Sequence, residues 1–302
     1  SSRAIEWKPI RITTAPGADG GYSVRASGLR FDLGGNVYIP VTMPGNRTYW
    51  GLVDTGFGHY IYVNERIVRE CDLAVYPLGT NRATGRLSGL CEVPTMWIGQ
   101  TRIENPPCIH EQGYWQFKVL GVPFYRQDVI LIGLRFLRAH SCVLFDNPAR
   151  RVVFSRREFE PPEAASWICL PFTQVQIDRS PCMLVDLPIG DSTVQVLFDT
   201  GGAKPGLRLT DKAWERVRRP LAARDRGRGH YRNIQFGRLP CRQYTVPMLS
   251  LGEIEVHDAR VNVTPEDNPD VKGFDGVLSL YYFRDTMVVL DFRKNLIWIR
   301  KF

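Results

Sequence analysis

The sequence predicts an all-β chain of two repeated lobes. Three observations support this: landmarks that recur at a fixed offset of 145 residues, short β-type runs closed by Pro/Gly turns, and no long helical periodicity. The 27 Gly and 21 Pro of the 302 residues suit a turn-rich β fold.

In the first half, Tyr-Trp-Gly-Leu-Val-Asp54-Thr55-Gly56 follows a turn at Pro44-Gly45. In the second, Val-Gln-Val-Leu-Phe-Asp199-Thr200-Gly201 follows a turn at Pro188-Ile189-Gly190. Gly45 precedes Asp54 by nine residues, and Gly190 precedes Asp199 by nine. The ends of the halves keep the same register: Asp54 to Asp146 and Asp199 to Asp291 are each 92 residues. Three landmarks on one offset imply a common fold beneath both halves.

The elements follow in order. Val37 to Val41 and Met183 to Leu187 read as short strands, and the segments entering each Asp-Thr-Gly triplet read as buried ones. Short helices are expected at Glu65–Glu70 and Asp211–Arg218, each a similar interval after its triplet. Terminal hairpins are expected around Asn147-Pro148 and Arg293-Lys294-Asn295. The Pro-rich Glu160 to Glu163 joint divides residues 1–160 from 161–302.

Composition narrows the function classes. The net charge is +8, but the arginines are scattered apart from a cluster from Arg216 to Arg228. Without a nucleic-acid motif this cluster reads as a solvated loop, with a patch for acidic substrates or partners as the alternative. No run approaches the roughly 18 apolar residues of a membrane span. Seven cysteines form no CxxC pattern and no metal-ligand spacing with histidine, so no metal is expected. Cys142 reads as a small core residue. His59 reads as a strand residue near a cleft, since no Ser or Cys elbow accompanies it. Asp146 and Asp291 read as turn residues, Tyr231 and Tyr244 as ordinary β residues, and Trp97 and Trp298 as core.

Two Asp-Thr-Gly triplets at matched places carry the chemistry. One triplet is expected roughly once in several thousand residues, and a lone one is most simply a turn. Two loops related by a two-fold axis bring two carboxylates together. Such a pair holds one proton between them, so one acid activates water and the other protonates a carbonyl. The threonines, Thr55 and Thr200, are placed to hydrogen-bond across the axis. The glycines, Gly56 and Gly201, let backbone N–H groups approach the carboxylates.

On these motifs the chain resembles the aspartic peptidases of the pepsin and retropepsin type. Leu52-Val53-Asp54-Thr55-Gly56 and Leu197-Phe198-Asp199-Thr200-Gly201 match that family's catalytic loops. Val129 to Leu137 looks like its hydrophobic-hydrophobic-Gly segment, and Phe274 to Leu280 like the second copy. The resemblance runs from about residue 37 to the C-terminus, and the stretches between motifs match poorly. It implies a two-lobed pepsin-like (acid protease) fold, each lobe a retropepsin-like β-barrel unit. It also implies a monomeric endopeptidase with Asp54 and Asp199 as catalytic residues, acting on peptide or protein substrates without a cofactor, metal or nucleic acid. The compact spacing of the triplets is similar to bacterial, fused retropepsin-like forms. The compartment stays open; a periplasmic or secreted setting fits if a signal or pro-segment has been removed.

The chain departs from the family's pattern at two places. Phe57 stands where Ser, Thr or Ala is usual, and Gly202 follows the second triplet. The expected flap, Arg82 to Trp97, carries Gly85 and Gly89 at its tip, lacks the usual Tyr, and offers Leu87 or Leu90 as apolar cover. Phe57, Gly85, Leu87 and Gly202 are therefore the candidate substrate-binding residues. A side chain at 57 unable to donate to the carboxylate predicts activity at about pH 5 to 6, unless the ring points into its own lobe. These departures also leave a second reading, a catalytically silent pepsin-fold module that binds a peptide or protein.

Overall fold

A computed structural model describes residues 9–14, 21–26, 36–81, 85–112, 115–119, 122–127, 129–178, 180–202, 205–233 and 237–301. The chain is mostly β-sheet, 59% strand and 13% helix, as the all-β reading expects, and includes a curled half-barrel sheet.

Among the described residues, fifteen strands come from the first half. They are β1 (Arg11–Thr13), β2 (Gly21–Arg25), β3 (Tyr38–Met43), β4 (Arg47–Asp54), β5 (Ile61–Asn64), β6 (Ala74–Thr80), β7 (Leu87–Glu92) and β8 (Thr95–Ile98). There follow β9 (Thr101–Glu104), β10 (Cys108–Glu111), β11 (Trp115–Val119), β12 (Val122–Gln127), β13 (Val129–Gly133), β14 (Cys142–Asp146) and β15 (Arg151–Ser155). The second half gives β16 (Trp167–Ile177), β17 (Ser180–Ile189), β18 (Ser192–Asp199), β19 (Gly206–Thr210) and β20 (Arg224–Asn233). It ends with β21 (Gly237–Leu251), β22 (Ile254–Thr264), β23 (Gly276–Ser279), β24 (Met287–Asp291) and β25 (Leu296–Arg300). The short helices are α1 (Glu65–Glu70), α2 (Leu134–Leu137) and α3 (Asp211–Val217).

The sequence repeat recurs as strand order. One sheet contains the run β3-β4-β13-β5-β10-β7-β6, and another contains β17-β18-β23-β19-β22-β21-β20. The parallel pairs correspond: β13 with β4 matches β23 with β18, and β10 with β5 matches β22 with β19. Helices α1 and α3 start at equivalent points because each has an N-cap that satisfies an orphan amide. The Asn64 side chain accepts from Ile67 N–H, and the Thr210 side chain from Ala213 N–H.

Pairing also crosses the expected boundary at 160/161. Strands β14 and β15, from before it, join β24, β25 and β16 in one sheet, with β2 at the end. Within the β14–β24 pair, Leu144 faces Val289, its own counterpart at the 145 offset. A residue that meets its own copy marks a local two-fold relation. Asp146 and Asp291 serve turns, as their places suggested. Asp146 Oδ1 accepts from Ala149 N–H, and Asp291 Oδ1 from Arg293 and Lys294 N–H. Cys142 is buried, and all seven cysteines are free thiols.

Three local expectations need correction. His59 lies in the loop before β5, not on a strand. The arginines of the 216–228 cluster are not in one loop: Arg216 is on α3, and Arg224 to Arg228 lie on β20. The hairpin expected from Arg82 is formed by β6 and β7 and begins at Ala74; residues 82–84 lie outside the described residues. Beyond it, Thr95–Ile98 pairs with β3 and β9 instead. No helix among the described residues is long and apolar enough to cross a membrane.

Candidate active site

The two Asp-Thr-Gly loops meet. Each follows the C-terminal end of a buried strand, β4 or β18, and is backed by a parallel neighbour, with Gly133 opposite Asp54 and Ser279 opposite Asp199. At Gly133 a Cβ would come within 2.2 Å of His59 carbonyl oxygen and 2.6 Å of that of Phe57, so the first loop sits directly on a glycine. The second copy has Ser279 at that register position. Gly276, in the second motif, lies three residues earlier, opposite Val196.

Four reciprocal hydrogen bonds lock the loops together. Thr55 N–H donates to Thr200 Oγ1 (3.0 Å), and Thr200 N–H donates to Thr55 Oγ1 (3.0 Å). Thr55 Oγ1–H donates to Phe198 C=O (2.6 Å), and Thr200 Oγ1–H to Val53 C=O (2.8 Å). Both threonines have zero exposure. In so buried a place, unmade bonds would be costly; the cage therefore fixes the loops' relative position.

Each carboxyl is held by an amide of its own loop. Gly56 N–H donates to Asp54 Oδ1 at 2.9 Å, and Gly201 N–H to Asp199 Oδ1 at 2.9 Å. A Cβ on Gly201 would lie 2.4 Å from the Asp54 carboxyl carbon, and one on Gly56 2.7 Å from that of Asp199. Each glycine makes room for the opposite acid. Gly201→Ala should therefore push the carboxyls apart and lower thermal stability, a loss that a melting curve beside wild type would measure.

The acids are not equivalent. Asp54 is buried and accepts a further bond from Phe57 N–H (3.2 Å), whereas Asp199 is half-buried. Burial raises the Asp54 pKa well above the ordinary 3.8; the charge of Asp199 and a hydrogen bond with it push the same way, against the two amides. A folded pKa above the unfolded one means that folding holds the proton, so this contribution is present at low pH and lost as pH rises above 3.8. Asp54→Asn should therefore melt above wild type at neutral pH, with the gain vanishing near pH 3, as paired calorimetric scans would report.

The Phe57 ring takes the alternative placement. Its ring packs with Tyr38, Leu52, Tyr62 and Leu131, and its centroid is 5.3 Å from that of His59. The ring is directed into its own half, while the residue's amide supplies the donor that its side chain lacks. Gly202 N–H donates to Asp199 C=O (3.2 Å), and a Cβ there would meet Ser279 Cβ at 3.0 Å.

The β6–β7 hairpin does contain a tyrosine. Tyr76 lies on β6, opposite Leu90, and its hydroxyl donates to Glu92 (3.3 Å). Gly85 sits next to the tip at φ +68, while Gly89 is inside β7, where a Cβ would strike Val75 at 2.8 Å. Leu78 and Leu87 are 60% and 52% exposed, an apolar surface on a hairpin with little core of its own. A pocket between β7 and the first loop is lined by His59, Tyr60, Leu90, Pro107, Ile109 and Arg135, among others. Burial first, and then Arg135, lowers the His59 pKa and favours neutral imidazole there.

Asn36 was not foreseen. With its amide nitrogen turned to the second loop, it donates to the carbonyls of Gly201 (3.2 Å) and Gly202 (3.1 Å). Nothing in the sequence around it marks the role. Among the described residues, no group of His, Cys, Asp and Glu could hold a metal. Comparison with family models and with curated proteins gave no match.

Proposed function

We propose that this chain is an aspartic endopeptidase of two-lobed, pepsin-like architecture, with residues 1–160 and 161–302 as its lobes and Asp54 and Asp199 as its catalytic pair. The observation that carries the reading is the mutual hydrogen bonding of Thr55 and Thr200 beneath two adjoining carboxyls. A turn motif alone has no use for two acids brought together at a cost in buried charge.

In the mechanism, the pair holds one proton. Asp54, whose surroundings favour the protonated form, donates it to the scissile carbonyl oxygen. Asp199 takes a proton from water as the water oxygen attacks the carbonyl carbon. The tetrahedral diol then collapses: the C–N bond breaks, Asp199 returns its proton to the leaving nitrogen, and Asp54 recovers one from the diol hydroxyl. No proton is gained or lost by the pair over a turnover. The exposed Leu78 and Leu87 of the β6–β7 hairpin are suited to cover an apolar stretch of substrate.

The test is incubation with an unfolded protein across about pH 3 to 7, with and without a statine-type transition-state analogue. Discrete fragments that vanish with the analogue are expected. A peptide held but left intact would instead establish the silent binding module.

A further inference from the structure

The hairpin β20–β21 occupies the place in the second half that β6–β7 occupies in the first. Both are the last two strands of the matched runs, and both carry a register shift at a left-handed glycine, Gly79 (φ +116) and Gly227 (φ +89). Beyond the shift they diverge. In β6–β7 the ladder continues for two pairs, whereas in β20–β21 it continues for seven, from Gly227↔Gln243 to Asn233↔Gly237.

Their chemistry diverges too. Residues 224 to 242 hold six arginines and one acid, Asp225. The pairing sets Arg228 directly opposite Arg242, and Arg232 opposite Arg238. Arg228 and Arg242 therefore share a face, and like charges so placed destabilise a ladder. Asp225 offsets one of them by pairing with Arg242. Two residues on from Arg228 lies His230, whose Nδ1 accepts from Arg238 (3.2 Å). Arg228, His230, Arg238 and Arg242 are all exposed, whereas the alternate residues Tyr231 and Cys241 are buried. The other face is thus anchored, with Tyr231 bonded to Asn268 and lying beneath the Arg208 guanidinium, leaving a rigid basic face turned to solvent.

We propose that the outer face of β20–β21 docks an acidic, extended stretch of polypeptide. Calling that polypeptide a substrate rests on the hydrolase reading; the docking itself does not. Three considerations select this occupant. Within residues 224 to 242 the sequence sets one acid, Asp225, against the six arginines. Arg238 and Arg242 are four residues apart on β21, about 13 Å along a strand, which is also the distance between every fourth side chain of an extended peptide. Single-stranded nucleic acid, which also carries regular charge, relies on exposed aromatic platforms. Among the described residues of this hairpin, Tyr231 is buried on the opposite face and Tyr244 is packed against Trp214. The paired hairpins would then read different chemistry, one apolar and one acidic.

The experiment measures fluorescence anisotropy of labelled octaglutamate on the 302-residue chain carrying Asp199→Asn, at low salt and about pH 6, where glutamate is charged. The same chain carrying Arg228→Glu and Arg238→Glu is the comparison; Arg242 is kept to hold Asp225. Binding is expected, weakened about tenfold or more by the double reversal and similarly by about 0.5 M salt. An octanucleotide should bind less tightly. Equal binding by the reversed chain, no binding by either, or tighter binding of the octanucleotide would overturn the proposal. Cleavage of a neutral peptide is followed separately in the chain with Asp199 intact. Octaglutamate binding lost on reversal in a chain that cleaves nothing would sustain the docking face and sink the hydrolase. Normal cleavage without octaglutamate binding would sink the docking face alone.

Discussion

Asp199→Asn is expected to lower the rate of peptide cleavage by about 10²–10⁴-fold, the usual contribution of a positioned acid or base, while the fold is retained. Asparagine keeps the shape and can still accept from Gly201 N–H (2.9 Å in the native chain), but it cannot take a proton from water. Asp54→Asn should cost a similar factor, since that amide has no proton to give the carbonyl oxygen. Replacing both should cost little more than either alone, because the two act as a unit. Kinetics on a fluorogenic peptide, with circular dichroism as the control for folding, measures this. Near-normal turnover in either single variant would remove that residue from the chemistry.

The second large effect is expected at the threonine cage. Thr200→Val deletes one hydroxyl of nearly equal volume. It strips Thr55 N–H of its acceptor and Val53 C=O of a donor at a site of zero exposure. Each buried group left unsatisfied costs about 1–3 kcal/mol, and the loops lose their mutual reference. Both stability and turnover should fall, and Thr200→Ser, which keeps the oxygen, should recover most of each. Denaturant titrations and kcat on the three proteins separate the outcomes; a valine variant as stable and active as wild type would mean that the cage is dispensable.

Much of this site is legible in the sequence because the repeat preserves local signals. The 145 offset carries the triplets, and one residue out of that register the caps Asn64 and Thr210 start matching helices. The terminal hairpins are equally local, each set by an aspartate that accepts turn amides. The true bounds of the two matched hairpins are not legible in the sequence, for a physical reason. Strand β6 is exposed over nearly its whole length, and β20 over much of its own, so neither shows the alternation that burial imposes. Pro77, Gly79, Gly227 and Gly229 are residue types depleted in strands, yet they occupy bulges and strand positions held by the other strand of the same hairpin. Pairing of β14 with β24 joins segments 145 residues apart, and no local pattern announces it. Phe57 taught the opposite lesson. The residue type predicted a missing donor, but the backbone amide that any residue except proline carries supplies one.

The central claim is that Asp54 and Asp199 direct water, rather than one of themselves, at a peptide carbonyl. A single-turnover cleavage in water enriched with oxygen-18, read by mass spectrometry, tests it most directly. The account predicts one heavy oxygen in the new C-terminal carboxylate of the product and none in the enzyme peptides that contain Asp54 or Asp199. Label in either enzyme carboxylate, or intact substrate after prolonged incubation at every pH tried, would contradict it.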